Sequence, residues 1–97
     1  MGEVATYRMK GRVVLRRIGE DRLLVPVSGG VARENCVFPV NATGEFIWQR
    51  LSKGEGLEQV AQAMAGAFDV PLEQARSDCR RFAGELVAQQ LLEAGAP

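Results

Sequence analysis

The side chains that most often catalyse reactions or bind metals are scarce in this sequence. Its 97 residues include no histidine, the commonest general base near neutral pH and the commonest metal ligand. The two cysteines, Cys36 and Cys79, lie far apart without a C-x-x-C pair, so their spacing indicates neither a zinc site nor a redox motif. No spacing of cysteines and carboxylates indicates a nucleophile with its base. We therefore predict that the chain is not an enzyme and binds neither a metal ion nor a cofactor.

The arginines are the remaining groups with distinctive chemistry, because guanidinium groups bind carboxylates and phosphates. At about 100° per residue, the C-terminal segment places its apolar residues on one stripe, with Arg76 and Arg80 at the border and Arg81 pointing away. Such arginines are as often a solvated helix face as a clamp for carboxylates. The sequence alone leaves both interpretations open.

Composition limits the partners that these residues can have. The 12 basic and 12 acidic side chains cancel, and the pI of about 6.3 lies well below the value of roughly 9 typical of a dedicated nucleic-acid binder. No segment approaches the roughly 20 apolar residues that cross a bilayer, and residues 1–10 lack the apolar core of a secretory signal. We expect a cytoplasmic protein with neither a nucleic-acid nor a membrane partner.

Three segments in the N-terminal half have the composition of β-strands. Arg12–Ile18 is rich in β-branched and apolar residues and precedes a Gly-Glu-Asp turn, and residues 22–25 follow as a second strand. Pro26 lacks a backbone donor and should end that strand or form a bulge. After a Gly-Gly turn, residues 35–38 are predicted to form the third strand. Residues 1–11 show no periodicity and are predicted to be flexible.

From Asn41 onwards the hydrophobic period becomes helical. Asn41 or Thr43 can cap a first helix, and apolar residues at spacings of three and four predict a second helix over Leu57–Phe68. Asp69 is the expected N-cap of a third helix, which Gly95 ends. The predicted fold class is α+β, with a three-stranded antiparallel sheet followed by a three-helix bundle.

Several short motifs follow one another in a distinctive order from the third strand to the third helix. Residues 37–44 (VFPVNATG) lead into residues 46–48 (FIW) and 51–54 (LSKG). Residues 75–82 (ARSDCRRF) then correspond to a Val-x-x-Asp-Val-x-x-Phe pattern, with Ala75 and Cys79 at the two valine positions. Each motif alone is short and mostly reflects packing. With the second helix, Leu57–Phe68, and residues 91–95 (LLEAG), however, their order extends over nearly all of the predicted domain, residues 12–97. In this order the chain resembles the PqqD family, to which the pattern belongs.

The resemblance implies a peptide-binding function. Members of that family are recognition elements for ribosomally synthesised, post-translationally modified peptides and have a compact winged helix-turn-helix-like fold. The leader of the precursor peptide adds as an extra strand beside the third strand, over a groove walled by the third helix. A radical S-adenosylmethionine enzyme then acts on the bound peptide. The resemblance implies these two partners and leaves open whether the pathway makes pyrroloquinoline quinone or another modified peptide.

The residues themselves can support such binding, since an edge strand offers N–H and C=O groups for strand addition. Alternation places Cys36 and Phe38 on one face of the third strand, and Cys79, Phe82 and Leu86 can form the floor of the groove. Apolar residues at these spacings equally suit ordinary core packing. The predicted peptide-binding residues are Asn35, Cys36, Val37, Phe38, Arg76, Cys79, Arg80, Phe82, Ala83 and Leu86.

Two other functions are compatible with the same pattern. A winged-helix regulator would use the arginines of its last helix on nucleic acid, although Glu73, Asp78 and Glu85 on that helix would repel phosphates. Alternatively, the third strand pairs with its own copy in a structural dimer. The chain is therefore expected to be a monomer or a homodimer.

Overall fold

The structure is a computed structural model that describes residues 6–28, 31–32 and 37–95. Its elements, in chain order, are β1 (Tyr7–Met9), β2 (Arg12–Ile18), β3 (Asp21–Ser28), β4 (Val31–Ala32), β5 (Phe38–Val40), α1 (Ala42–Leu51), α2 (Leu57–Phe68), α3 (Leu72–Ala88) and β6 (Leu92–Ala94). All strand pairs are antiparallel and the three helices follow the main sheet, so the α+β prediction is confirmed. Within these ranges no helix is both long and apolar enough to cross a membrane.

Strand β3 is the centre of the main sheet. β2 pairs with one side of β3 through a tight turn at Gly19, whose φ of 63° favours glycine. β5 pairs with the other side, with Arg22 opposite Val40 and Leu24 opposite Phe38. The short strand β4 pairs with the end of β3 on that same side. The helices cover one face of this sheet, where Leu24 is fully buried in the core that the sheet and the helices share.

Two strand limits differ from the prediction. β5 covers Phe38–Val40 instead of residues 35–38, and residues 35 and 36 lie outside the described residues. β3 continues through Pro26, which pairs with Val13. Because proline has no N–H, this must be a non-hydrogen-bonded pair, and the proline nitrogen faces the other side of β3, where no described residue lies opposite it. The ladder between β2 and β3 therefore loses no hydrogen bond there.

The two ends of the described chain form a second sheet. β1 pairs antiparallel with β6, and beyond the last pair the amide of Gly95 donates to the carbonyl of Thr6 at 2.8 Å. The structure thus corrects the prediction of a flexible segment over residues 1–11, since β1 is a paired strand; residues 1–5 lie outside the described residues. It also corrects the end of the third helix, because α3 stops at Ala88 and β6 precedes Gly95.

The helix ends show which capping predictions hold. Asn41 caps α1 as predicted, since its side-chain oxygen accepts a hydrogen bond of 2.8 Å from the amide of Gly44. Asp69 does not cap α3. It ends α2 in the left-handed conformation with φ of 54°, which aspartate tolerates better than most residues, and Pro71 occupies the N-cap position of α3.

The core lies between the main sheet and the three helices. Ala75 and Ala83 of α3 are fully buried, and Cys79 between them contacts Met64 of α2, with 3.7 Å between the two sulfur atoms. Trp48 of α1 is 3% exposed, so it belongs to the core and not to the surface. The largest fully buried side chains are Leu24, Ile47, Leu51, Val60, Cys79, Leu86, Leu91 and Leu92.

A buried carboxylate holds α1 on the sheet. Glu45, in the first turn of α1, is 6% exposed, and it accepts a hydrogen bond from Arg17 of β2 and forms an ion pair with Arg22 of β3. The hydrogen bond from Arg17 lowers the pKa of Glu45, although burial of the carboxylate opposes this shift. The charged form of Glu45 is therefore the form that stabilises the contact between α1 and the main sheet.

Replacing Glu45 by glutamine is expected to lower the free energy of unfolding by about 2 kcal/mol near pH 7, because two arginines lose their buried partner. The folded pKa lies below the unfolded value of about 4.3, so this contribution is present above that pH and is lost as the pH falls below it. Urea denaturation across this range should show the wild type and the variant converging in acid. Glu55→Gln, which removes a half-exposed pair with Arg50, is the control and should change stability by less than about 1 kcal/mol. Equal stability of Glu45→Gln and wild type near neutral pH would contradict the prediction.

Candidate functional site

A cleft of about 590 Å³ lies between β5 and α3 and is closed at one side by the first turn of α1. Residues of all three elements line it, because β5 leads directly into α1 and Phe82 of α3 contacts Phe38 of β5 and lies close to Gly44 of α1. Its size falls in the range of roughly 300–1,000 Å³ that is typical of ligand sites. Its lining residues are Phe38, Pro39, Val40, Asn41, Thr43, Gly44, Ile47, Asp78, Arg81, Phe82 and Glu85.

An aromatic pair forms the apolar floor of the cleft. The rings of Phe38 and Phe82 meet edge to face, with centroids 5.9 Å apart. Gly44 lets α1 approach this pair, since a Cβ atom there would lie 3.0 Å from Phe82 Cζ and 3.2 Å from Val40 Cβ. Both rings remain half-exposed, so the floor can receive an apolar side chain from a guest molecule.

The outer edge of β5 borders the cleft and presents free backbone groups. Proline has no N–H, so Leu23 and Pro39 form a non-hydrogen-bonded pair, and the backbone groups of Phe38 and Val40 face β3. By alternation, the N–H and C=O of Val37 and the C=O of Pro39 face outward. Among the described residues no strand pairs with this edge. A guest strand can therefore accept one hydrogen bond here and donate two.

The wall that α3 contributes carries more negative than positive charge. Asp78 and Arg81 form an ion pair, with Arg81 Nη2 3.5 Å from Asp78 Oδ1, and the Arg81 side chain is 70% exposed. Glu85 lies one turn further along α3 and is exposed. No described cationic side chain pairs with Glu85. The wall therefore has two carboxylates and one guanidinium group.

Two of the predicted binding residues line the cleft, since Phe38 and Phe82 form its floor. A third, Val37, directly precedes β5 with 38% of its surface exposed but is not one of the lining residues. Asn35 and Cys36 lie outside the described residues, so their predicted contacts remain predictions. The structure thus brings together the strand and helix residues on which the proposed groove depended.

Three other predicted residues belong to the core. Cys79, Ala83 and Leu86 are fully buried among the protein's own side chains, so they support the cleft from behind and do not line it. Burial, together with the charge of Asp78, raises the pKa of the Cys79 thiol to about 11. The thiol therefore stays protonated near neutral pH, in an environment that does not activate cysteine. In the described part of the chain, no group of three or more cysteine and carboxylate side chains could hold a metal ion.

The two remaining predicted residues lie on the far side of α3. Arg76 binds Glu58 of α2 at 2.8 Å and Glu73 at 2.9 Å, and these carboxylates raise the pKa of the guanidinium group, the hydrogen bond to Glu58 most of all. Arg80 is one turn further along that side and is exposed. Neither lines the cleft, so the structure does not place them where the expected clamp for leader carboxylates would be.

The sequence interpretation missed the polar wall of the cleft. Asp78, Arg81 and Glu85 recur with Phe82 at spacings of three and four, which makes them a second stripe of α3 beside the core stripe. Arg81 does point away from the core, as predicted, but it points towards the cleft. This spacing was the signal from which the polar wall could have been predicted. Only the position of β5 shows that the stripe faces a cleft and not bulk solvent.

The chain was compared with protein families, with curated proteins and with solved structures. Residues 23–92 match the family model described as "Coenzyme PQQ synthesis protein D (PqqD)". The chain is also similar to a solved structure, which is described as "TbiB1 in Complex with the TbiA(beta) Leader Peptide". The TM-score is 0.71 at 26% sequence identity, and the match covers 93% of this chain and 99% of that one. No curated protein matches the sequence.

Proposed function

The chain belongs to the PqqD family, and on this premise we propose that it binds the leader of a ribosomally synthesised precursor peptide by β-strand addition. The chain presents the bound peptide to a separate modifying enzyme. On the basis of the family, this partner is a radical S-adenosylmethionine enzyme. The chain contributes binding and orientation, and the chemistry takes place on the partner. The pathway makes pyrroloquinoline quinone or another modified peptide.

One observation carries this proposal, namely the open edge of β5 beside the aromatic floor. A guest strand that pairs with Val37 and Pro39 would alternate its side chains, so that every second one points between Phe38 and Phe82 or towards α3. The solved structure of TbiB1 contains a leader peptide, which supports a ligand of the same class for this chain. The winged helix-turn-helix-like description of the fold remains a prediction from the family resemblance.

The described edge is too short to give tight binding by itself. Three backbone hydrogen bonds contribute roughly 1 kcal/mol each, and two buried side chains contribute roughly 2 kcal/mol each. Association costs at least about 4 kcal/mol, which leaves a net free energy near 3 kcal/mol and a millimolar dissociation constant. Contacts with the charged wall of α3 are therefore needed for specific recognition.

The arginines of α3, which were the sequence evidence for nucleic-acid binding, are mostly paired with carboxylates in the structure. Of the three arginines on α3, Arg76 is neutralised by two carboxylates and Arg81 by Asp78, so only Arg80 has no described partner. A surface with this charge pattern does not attract phosphates over a distance. Titration with duplex DNA at falling salt concentration should accordingly show no steep gain in affinity.

Nuclear magnetic resonance with an isotopically labelled chain tests the proposal. The probe is a synthetic leader from a short precursor peptide encoded beside the gene, here called the cognate leader. We expect its addition to shift the amide resonances of Val37 and Phe38 together with those of Asp78, Phe82 and Glu85. Light scattering on the same samples shows whether a second copy of the chain occupies the edge instead. Shifts confined to the Arg76 and Arg80 side of α3 would overturn the proposed site.

A further inference from the structure

We infer that the leader recognised by this chain carries a lysine or arginine that pairs with Glu85, two positions from an apolar residue that fills the space over Phe82. The inference rests on the proposed function and deepens it by naming the chemistry of the peptide. It reverses the charge expected from the sequence, where Arg76 and Arg80 were predicted to bind acidic residues of the leader. The reversal follows from which side of α3 faces the cleft.

The charges around the cleft favour a lysine or arginine in the bound peptide. Asp78 already has a cationic partner in Arg81, at 3.5 Å, whereas Glu85 has none among the residues that the structure describes. The arginines of the neighbouring sheet, Arg17 and Arg22, are both engaged by Glu45. A guest strand that covers Glu85 would therefore bury an unpaired carboxylate unless the strand brings a cation.

The spacing of the helix and the strand fixes where the cation must be. Glu85 lies three residues beyond Phe82, a rise of about 4.5 Å along α3. Side chains on one face of an extended peptide are about 6.7 Å apart, two residues from each other. The basic residue therefore lies two positions from the apolar residue that contacts Phe82. The length of a lysine or arginine side chain closes the remaining difference.

A peptide-display experiment tests this pattern and does not require the natural precursor. Short random peptides are selected on the intact chain, and binders are kept if Val37→Pro abolishes their capture, which restricts them to the edge of β5. We expect lysine and arginine to exceed aspartate and glutamate two positions from an aliphatic or aromatic residue. For a selected peptide, replacing that basic residue by glutamate should weaken binding by about fivefold, since a partly exposed ion pair is of this strength.

Charge reversal on the protein provides the matched test. Glu85→Lys should invert the selected preference towards aspartate and glutamate at the same position. Glu73→Lys makes the same charge change on the same helix, but outside the cleft and at a side chain that is 87% exposed, so it should leave the preference unchanged. Thermal denaturation of both variants confirms that the fold persists.

The possible outcomes separate the two proposals. Edge binders with no charge preference, or with an acidic one, would overturn the role of Glu85 while leaving strand addition intact. The same holds if Glu73→Lys inverts the preference as strongly as Glu85→Lys does. A failure to obtain any peptide that Val37→Pro displaces would overturn the proposed strand addition and this inference with it.

Discussion

Phe82→Ala should weaken binding of the cognate leader by more than about tenfold, a larger effect than that of any other single side chain of the cleft. Phe82 supplies half of the aromatic floor, holds Phe38 edge to face, and touches the first turn of α1 at Gly44. Its removal takes away the surface on which a guest side chain packs, and aromatic residues at such positions often dominate binding energy. The variant should also be about 2 kcal/mol less stable, because the ring is half-buried. Isothermal titration calorimetry measures the affinity.

The control for this variant is a second aromatic pair elsewhere on the surface. Phe46 and Phe68 also meet edge to face, at 5.3 Å between centroids, and neither lines the cleft. Phe68→Ala should therefore reduce stability without changing the affinity of the folded protein for the leader. If Phe82→Ala and Phe68→Ala reduced affinity equally at a temperature where both are folded, the aromatic floor would not be the binding surface.

Val37→Pro should reduce leader affinity by about tenfold while leaving the domain folded. Val37 directly precedes β5, and the alternation of the strand predicts that its N–H faces outward. Proline removes that donor and places a ring where the guest backbone would lie. The pairing of β5 with β3 starts at Phe38, so no hydrogen bond within the sheet is lost. Amide exchange of β3 and circular dichroism report whether the sheet persists.

Val37→Thr is the matched substitution for this test. Threonine keeps the β-branched shape and the backbone N–H, so the affinity should remain within about twofold of the wild type. Equal losses in the proline and threonine variants would mean that the side chain, and not the backbone donor, makes the contact. Unchanged affinity in Val37→Pro would rule out strand addition at this edge.

Much of the fold was predictable because its signals are local. The β-branched and apolar composition of Arg12–Ile18 and the spacing of three and four in Leu57–Phe68 depend only on neighbouring residues, and both elements form as predicted. The capping of α1 by Asn41 is equally local, since it joins residues three positions apart. Asp69 shows the limit of such signals, because aspartate suits both a helix start and a left-handed helix end.

The second sheet was not predictable from periodicity. β1 and β6 each have three residues, too few to show alternation, and their pairing joins opposite ends of the sequence. Such short strands are stabilised by tertiary contacts, here by the buried side chain of Leu92, and not by their own propensities. A helix that continues towards Gly95 was therefore the simpler interpretation of the same residues.

The cleft was predictable in its floor and not in its wall. Phe38 and Phe82 belong to recognisable apolar patterns, and the family resemblance placed them at a groove. The choice between Arg76 and Arg81 depends on how α3 is rotated against the sheet. That rotation is seen in the complete burial of Ala75, Cys79 and Ala83, a tertiary arrangement that the helical period leaves undetermined.

The pairing of β1 with β6 determines how this domain responds to mechanical load. Tyr7 lies opposite Ala94 and Met9 opposite Leu92, so the free ends of both strands are at the same end of the ladder. Tension that separates the termini unzips these pairs one at a time instead of shearing them together. Leu92, the buried residue of β6, belongs to the last of these pairs, so the two strands separate pair by pair before this buried side chain is exposed.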